Sequence, residues 1–237
     1  MDIPRLAIIP THDRPVELAR LLDALAPQCH AVIVVDNAST PPVHESYPGA
    51  IGPDTVMGIA ATNLHIIRDE EQPPNLSRLW NVGLDRAAAH AEWFGFDVYD
   101  VAIFNDDAVV PPGWWDLVSG ALRAHPTAAA AHTHTDGDPS RPAVFSDHTK
   151  PLQIADRMCA WAFVMRGELG LRSDETMRWW YFDNWFELLA RRAGGVLALP
   201  GPQVANTLAN STTVGALAEQ AGRDRARFIE LYGRTPW

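Results

Sequence analysis

Short, wholly apolar runs that stop at polar clusters, separated by stretches with helical spacing, constrain this chain more than any other feature. Leu6 to Ile9 closes at Pro10 and is followed by Thr11-His12-Asp13-Arg14-Pro15, which carries helix-start chemistry. Leu18, Leu21, Leu22 and Leu25 then recur at helical spacing. Ala31 to Val35 ends at Asp36-Asn37-Ala38-Ser39-Thr40, and Val101 to Phe104 runs into Asn105-Asp106-Asp107. Leu64 to Ile67 is a further strand, and Leu76 to Ala91 and Trp114 to Ala124 read as helices. Runs apolar on both faces belong to parallel strands covered by helices. The alternation predicts an open, mostly parallel α/β sheet with right-handed crossovers.

The second half is less regular. Ala128 to Thr135, Ala160 to Arg166 and Val196 to Leu199 read as strands, Asp183 to Ala193 as a helix ended by Gly194-Gly195, and Val214 to Tyr232 as a helical tail. Pro41 to Thr62 reads as a loop with a weak strand. Asp136 to Lys150 is a polar loop of the length and composition of a lid. With no repeat and no low-complexity linker, the expected organisation is one domain over 1–213 with a tail over 214–237 packed on it.

Composition narrows the function. The formal charge of −10 repels phosphate backbones, so general nucleic-acid binding is not expected. Cys29 and Cys159 are the two cysteines and form no CxxC pair, which argues against a disulfide framework and a zinc knuckle. The start, MDIPRLAIIP, lacks the features of a signal peptide, and no apolar stretch approaches the roughly 18 residues of a membrane span. A soluble, cytoplasmic protein with two reduced thiols is expected.

In an open parallel sheet ligands sit beyond the carboxyl ends of the strands, where the clusters at 11–14, 36–39 and 105–107 fall. Asp106 and Asp107 are adjacent carboxylates, which repel unless a cation or donors lie near. Mg²⁺ or Mn²⁺ bridging to a diphosphate would satisfy them, and a solvated turn is the plainer alternative. Asp36 suits a ribose or base edge, or else an Asx-turn with Ser39. There is no GxxxxGK[ST], no GxGxxG after the first strand, and no glycine-rich, Arg-containing first loop of the nucleotidyltransferase kind. A diphosphate bound here must therefore be held by a metal and scattered donors.

Taken in order, Leu6-Ala7-Ile8-Ile9-Pro10-Thr11-His12-Asp13-Arg14, Val34-Val35-Asp36-Asn37-Ala38-Ser39, Asn81-Val82-Gly83 and Asn105-Asp106-Asp107 resemble the GT-A fold glycosyltransferases of family 2, in the flavour found in actinobacteria and their phages. Arg166 to Glu175, Trp179 to Asp183, Ala190 to Gly195 and the closing Gly233-Arg234-Thr235-Pro236-Trp237 extend the resemblance. It implies a Rossmann-like GT-A sheet with a C-terminal helical segment, a nucleotide-diphosphate sugar as donor, and a glycan or protein as acceptor. It places a phage-encoded relative in the host cytoplasm.

By the same resemblance Thr11, Asp13, Arg14 and Asp36 hold the nucleoside, and Asn81 lies near the sugar and diphosphate. Asp107 ligates Mn²⁺ or Mg²⁺, and Asp106 lies by the ribose or the metal's water shell. Asp183 is the general base of an inverting reaction, with a helix cap as its plainer reading. Asp174-Glu175 falls on the acceptor side. Trp80 replaces an Arg of the family, for which Arg78 is the stand-in; Trp185 replaces a second acid, and Asn206 takes the approximate place of a metal-reaching His. Two other functions fit the same residues: a catalytically impaired protein that only binds a nucleotide sugar, and a carbohydrate-binding or assembly protein that uses its tryptophans. His132 and His134 share one strand face and read as a half-exposed edge or a metal pair, and Arg223, Arg225 and Arg227 as a solvated helix face.

Overall fold

The computed structural model describes residues 3–50, 63–150, 156–159, 161–207 and 216–233. Its strands are β1 (Arg5–Thr11), β2 (Ala31–Asn37), β3 (Leu64–Asp69), β4 (Asp100–Phe104), β5 (Ala108–Val109), β6 (Ala130–Thr133), β7 (Val144–Ser146), β8 (Ala162–Arg166), β9 (Val196–Leu199) and β10 (Ala205–Asn206). The helices are α1 (Pro15–Leu25), α2 (Val43–Ser46), α3 (Leu76–Phe94), α4 (Trp114–Ala124), α5 (Phe182–Ala193) and α6 (Ala216–Tyr232). Eight strands form one sheet in the order β3-β2-β1-β4-β8-β6-β9-β7. The first four are parallel, β8 runs antiparallel to both its neighbours, and β7 is an antiparallel edge. β5 and β10 pair separately.

The pleat explains the continuous apolar runs. Ala7 and Ile9 of β1 face one core with Leu18 and Leu21 of α1 and Trp114 and Val118 of α4. Leu6 and Ile8 face the other, with Leu79, Trp80 and Leu84 of α3 and Phe186 of α5. Both faces of the central strands are thus covered, as a parallel sheet requires. Gly83 lets α3 lie directly on β1: a Cβ there would overlap Ile8 Cγ2. Gly83→Ala should therefore destabilise by about 1–3 kcal/mol through overpacking, although Ala in a free helix is favoured by about 1 kcal/mol. A lowered Tm in a thermal melt checks this sign.

Several expectations change. The loop over 136–150 is not structureless: Val144 to Ser146 contributes the edge strand β7, Phe145 stacks on His125 at 4.3 Å, and Arg141 pairs with Asp136 and Asp156. The strand expected over 128–135 is shorter, and α3 continues past Ala91 to a left-handed Gly95 cap. His132 and His134 are buried rather than half-exposed. His132 Nδ1 faces the Thr133 carbonyl at 2.8 Å, and His134 bridges the Pro142 carbonyl and Asp156. The weak strand expected within 41–62 is replaced over its first part by α2, while 51–62 lie outside the described residues, as does the stretch 208–215 where the tail was expected to begin. Cys29 and Cys159 are not joined in a disulfide, and burial pushes the Cys29 thiol up to about 12. Among the described residues no helix is long and apolar enough to cross a membrane.

Candidate active site

Strand order reverses direction at β1, which has β2 on one side and β4 on the other. Ligands of open α/β sheets bind at such a switch point, outside the carboxyl ends of the strands. A cavity of about 850 Å³ opens there. Thr11 and Arg14 enter it from the end of β1, Asn105, Asp106 and Asp107 from the end of β4, and Asp183 from the first turn of α5.

The two halves of this crevice are tied together. Thr11 Oγ1 donates to Asp106 Oδ2 at 2.9 Å, and Arg14 Nη1 donates to Asp106 Oδ1 at 2.9 Å. The same guanidinium nitrogen lies 3.7 Å from Asp107 Oδ2. Burial pushes the Asp106 carboxyl above its ordinary range, and Asp107 adds to this, while Arg14 and Thr11 pull it down. Repulsion between Asp106 and Asp107 is therefore already eased by a cation of the chain itself.

Whether the site also suits a divalent metal rests on its oxygens. Asn206 lines the cavity and is held by β10, whose register sets it opposite Ala108, next to Asp107. Thr207 N donates to the Asp107 carbonyl at 3.2 Å and locks this arrangement. The Asn206 Oδ1 atom is buried and accepts no hydrogen bond from the described residues. An unsatisfied buried acceptor beside two carboxylates is an all-oxygen donor set, the kind that Mg²⁺ and Mn²⁺ take. The residues fit a hard divalent ion. Among the described residues no group of three or more His, Cys, Asp or Glu is placed to hold a metal, so His132 and His134 form no such centre.

Three expected ligand residues turn elsewhere. Asp36 is fully buried, and its carboxylate accepts from Ser39 N at 2.9 Å, Val43 N at 3.1 Å and Arg68 Nη1 at 2.9 Å. Burial raises its pKa, but these donors outweigh burial and hold it below the usual range. The neighbouring Asn37 forms the wall instead. Asp13, with a left-handed φ of 53°, accepts from Thr40 N at 2.7 Å and joins the loops after β1 and β2. Asn81 clamps the chain at Ser173 in both directions, at 2.8 and 3.0 Å, and donates to Glu175 Oε1 at 2.8 Å. Arg78 pairs with Asp69 and Glu71 rather than facing the cavity.

The aromatic segment divides. Phe182 and Phe186 pack around the buried Trp80, with ring centroids 4.4 and 5.6 Å away. Trp179, Trp180 and Tyr181 line the cavity with Trp161. Asp183 accepts from Asn184 N at 2.8 Å, so it holds the helix start and faces the cavity at once. His12, Asn37, Trp161 and Gln203 are lining residues that patterning did not single out. His12 and Asn37 were in view within their clusters; Trp161 and Gln203 carry no local signal.

No family model matches the chain, and no curated protein matches it. Among solved structures it is similar to the mannosyltransferase PcManGT from Pyrobaculum calidifontis, in complex with GDP-Man and Mn²⁺. The TM-score is 0.59 at 17% identity, and the match covers 100% of this chain and 67% of that one. With the sheet described above, this likeness gives the chain a GT-A-type α/β fold: an open, mostly parallel Rossmann-like sheet flanked by helices, with a helix at its C-terminal end.

Proposed function

We propose that the protein is a metal-dependent, inverting glycosyltransferase that moves a sugar from a nucleotide-diphosphate sugar to an acceptor hydroxyl on a glycan or protein. The observation that carries this reading is that one cavity at the β1/β4 switch point is lined both by Asp106-Asp107 and by Asp183. The solved mannosyltransferase, which binds GDP-Man and Mn²⁺, supports it through the shared fold.

In this reading Thr11 and Arg14 hold the donor at the end of β1, beside Asn37 and His12. Asp13, Asp36 and Asn81 act at one remove: the first two fix the loops after β1 and β2, and Asn81 fixes the 173–175 chain. Asp107, Asp106 and Asn206 would hold the metal, Mn²⁺ or Mg²⁺. When bound, such an ion offsets negative charge on the departing diphosphate. Asp183 takes the proton of the acceptor hydroxyl as its oxygen bonds to the anomeric carbon. The bond from that carbon to the diphosphate oxygen breaks in the same step, and the nucleoside diphosphate leaves with the electron pair. Attack from the face opposite the leaving group inverts the anomeric centre.

Thermal shift with UDP and GDP, each with and without Mn²⁺, tests the reading. Ligand at about 100 times its Kd stabilises by roughly 2.7 kcal/mol, which at about 2–4 °C per kcal/mol is a readable rise in Tm. We expect one nucleotide to stabilise the protein only when Mn²⁺ is present, and Asp107→Ala to lose the effect. No nucleotide-linked shift would leave the carbohydrate-binding or assembly alternative. A shift without release of nucleoside diphosphate from any nucleotide sugar would leave the impaired binder.

A further inference from the structure

The wall that carries Asp183 is not self-supporting. Residues 178–181 form no helix or strand, and Tyr181, the residue that caps α5, sits at a left-handed φ of 66°. A non-glycine residue keeps that conformation only where its surroundings over-determine it. α3 reaches the start of this turn, with Leu76 N donating to the Arg178 carbonyl at 2.7 Å, and α6 supplies the rest of its anchoring. Asp224 is fully buried, and its carboxylate accepts from three successive backbone N–H groups: Arg178 at 3.0 Å, Trp179 at 2.8 Å and Trp180 at 2.8 Å. One turn earlier Gln220 Nε2 donates to the same carboxylate at 2.6 Å. One turn later the buried Phe228 packs on the Tyr181 ring at 5.6 Å between centroids. Positions 220, 224 and 228 lie on one helix face, so a single stripe of α6 meets the turn. Arg227 adds a bond from Nε to Thr176 Oγ1 at 2.8 Å.

We infer that Asp224 is a positioning residue: by gathering the 178–180 backbone it fixes Tyr181, and through Tyr181 the start of α5, so that Asp183 faces the cavity. This rests on the reading of Asp183 as the base. Asp224 is not itself among the residues that line the cavity. A displacement of about 1 Å at a reacting group can cost on the order of 10²-fold in rate. The donor-side residues stand on β1 and β4 and do not depend on this turn.

The test uses the full chain with Asp224→Ala, Asp224→Asn and Gln220→Ala. Asn keeps one acceptor oxygen but loses the charge and turns an NH₂ group towards the remaining N–H, so the three variants grade the loss. Expected for Asp224→Ala is a fall in kcat of about 10²-fold, with nucleotide–Mn²⁺ affinity and stoichiometry unchanged by calorimetry. Asp224→Asn and Gln220→Ala should fall in between. Acrylamide should quench tryptophan fluorescence more strongly in Asp224→Ala, as Trp179 and Trp180 lose their anchor. A variant that merely unfolds would lose nucleotide stoichiometry in step with rate, and that result overturns the inference. So does a kcat unchanged in Asp224→Asn and Gln220→Ala while wild type turns over. A wild type that binds no nucleotide sugar overturns the functional reading, and this inference with it.

Discussion

Asp183→Asn should lower the rate of sugar transfer by about 10²–10⁴-fold, the usual share of a positioned general base, and leave nucleotide–Mn²⁺ binding within about twofold of wild type, a difference of only some 0.4 kcal/mol. The two halves of that outcome come from different parts of the fold. Asn keeps the oxygen that accepts from Asn184 N, so the start of α5 is preserved, but it cannot take a proton. The proposed donor contacts lie across the cavity on the loops after β1 and β4, where Thr11 and Arg14 already meet Asp106. Release of nucleoside diphosphate in a coupled assay measures the rate, and calorimetry the binding. Activity retained within about tenfold in Asp183→Asn would place the proton acceptor elsewhere. Loss of binding together with rate would make Asp183 a structural helix-start residue only.

Stability should fall steeply as pH drops from 6.5 towards 4. Three buried histidines set this trend. Burial, with Arg86 and a neighbouring imidazole, pushes His65 down to about 3 and His90 to about 4, and burial beside His134 pushes His132 to about 4. His65 and His90 face each other at 3.1 Å, and Arg86 Nε donates to His65 Nδ1, so the fold holds both rings neutral. A group whose pKa is depressed in the fold contributes stability that is present above its unfolded value, near 6.5, and is lost as pH falls through the folded value. His90 and His132 are each worth roughly 3 kcal/mol and His65 roughly 5 kcal/mol. Against a typical domain stability of about 5–15 kcal/mol, even one of these is a large loss.

Glu187 runs the other way. It is buried one turn after Asp183, and burial, aided by Asp183, raises it to about 7 against the pull of Arg157 and Arg191. Its contribution is present below about 4.5 and lost as pH rises to 7. Melts across pH 4–8 separate the two. His65→Gln/His90→Gln should flatten the acid limb, whatever it costs at pH 8. Glu187→Gln should gain on wild type at pH 8 relative to pH 5, by roughly 3 kcal/mol. Parallel pH profiles for wild type and either variant would remove these groups as the cause.

The sheet was legible because burial on both faces leaves no room for polar residues inside the central strands. Leu6 to Ile9, Ala31 to Val35 and Val101 to Phe104 therefore announce themselves, and their polar ends converge where strand order reverses. Partner identity was not legible. An aspartate at a strand end reads the same whether its lone pairs serve a ligand or its own loop, and in Asp36 they serve Ser39, Val43 and Arg68. Asn81 turned inward for the same reason, towards a segment some ninety positions away whose approach no local pattern encodes. β7 is three residues long within a polar stretch, too short for alternation to show. Asp224 stood hidden between Arg223 and Arg225 on a helix of balanced charge, and its partners are main-chain amides, which every residue but proline carries alike.

The reach of α6 back to residues 178–180 bears on the order in which the molecule is made. Chains emerge from the ribosome N-terminus first, so the β1–β4 half, with its acidic pair, is exposed well before the residue that gathers the aromatic turn. A nascent chain halted ahead of position 224 has the β1–β4 side of its crevice but lacks the brace for the opposite wall. The brace for that wall therefore follows only after all eight strands of the sheet have been translated.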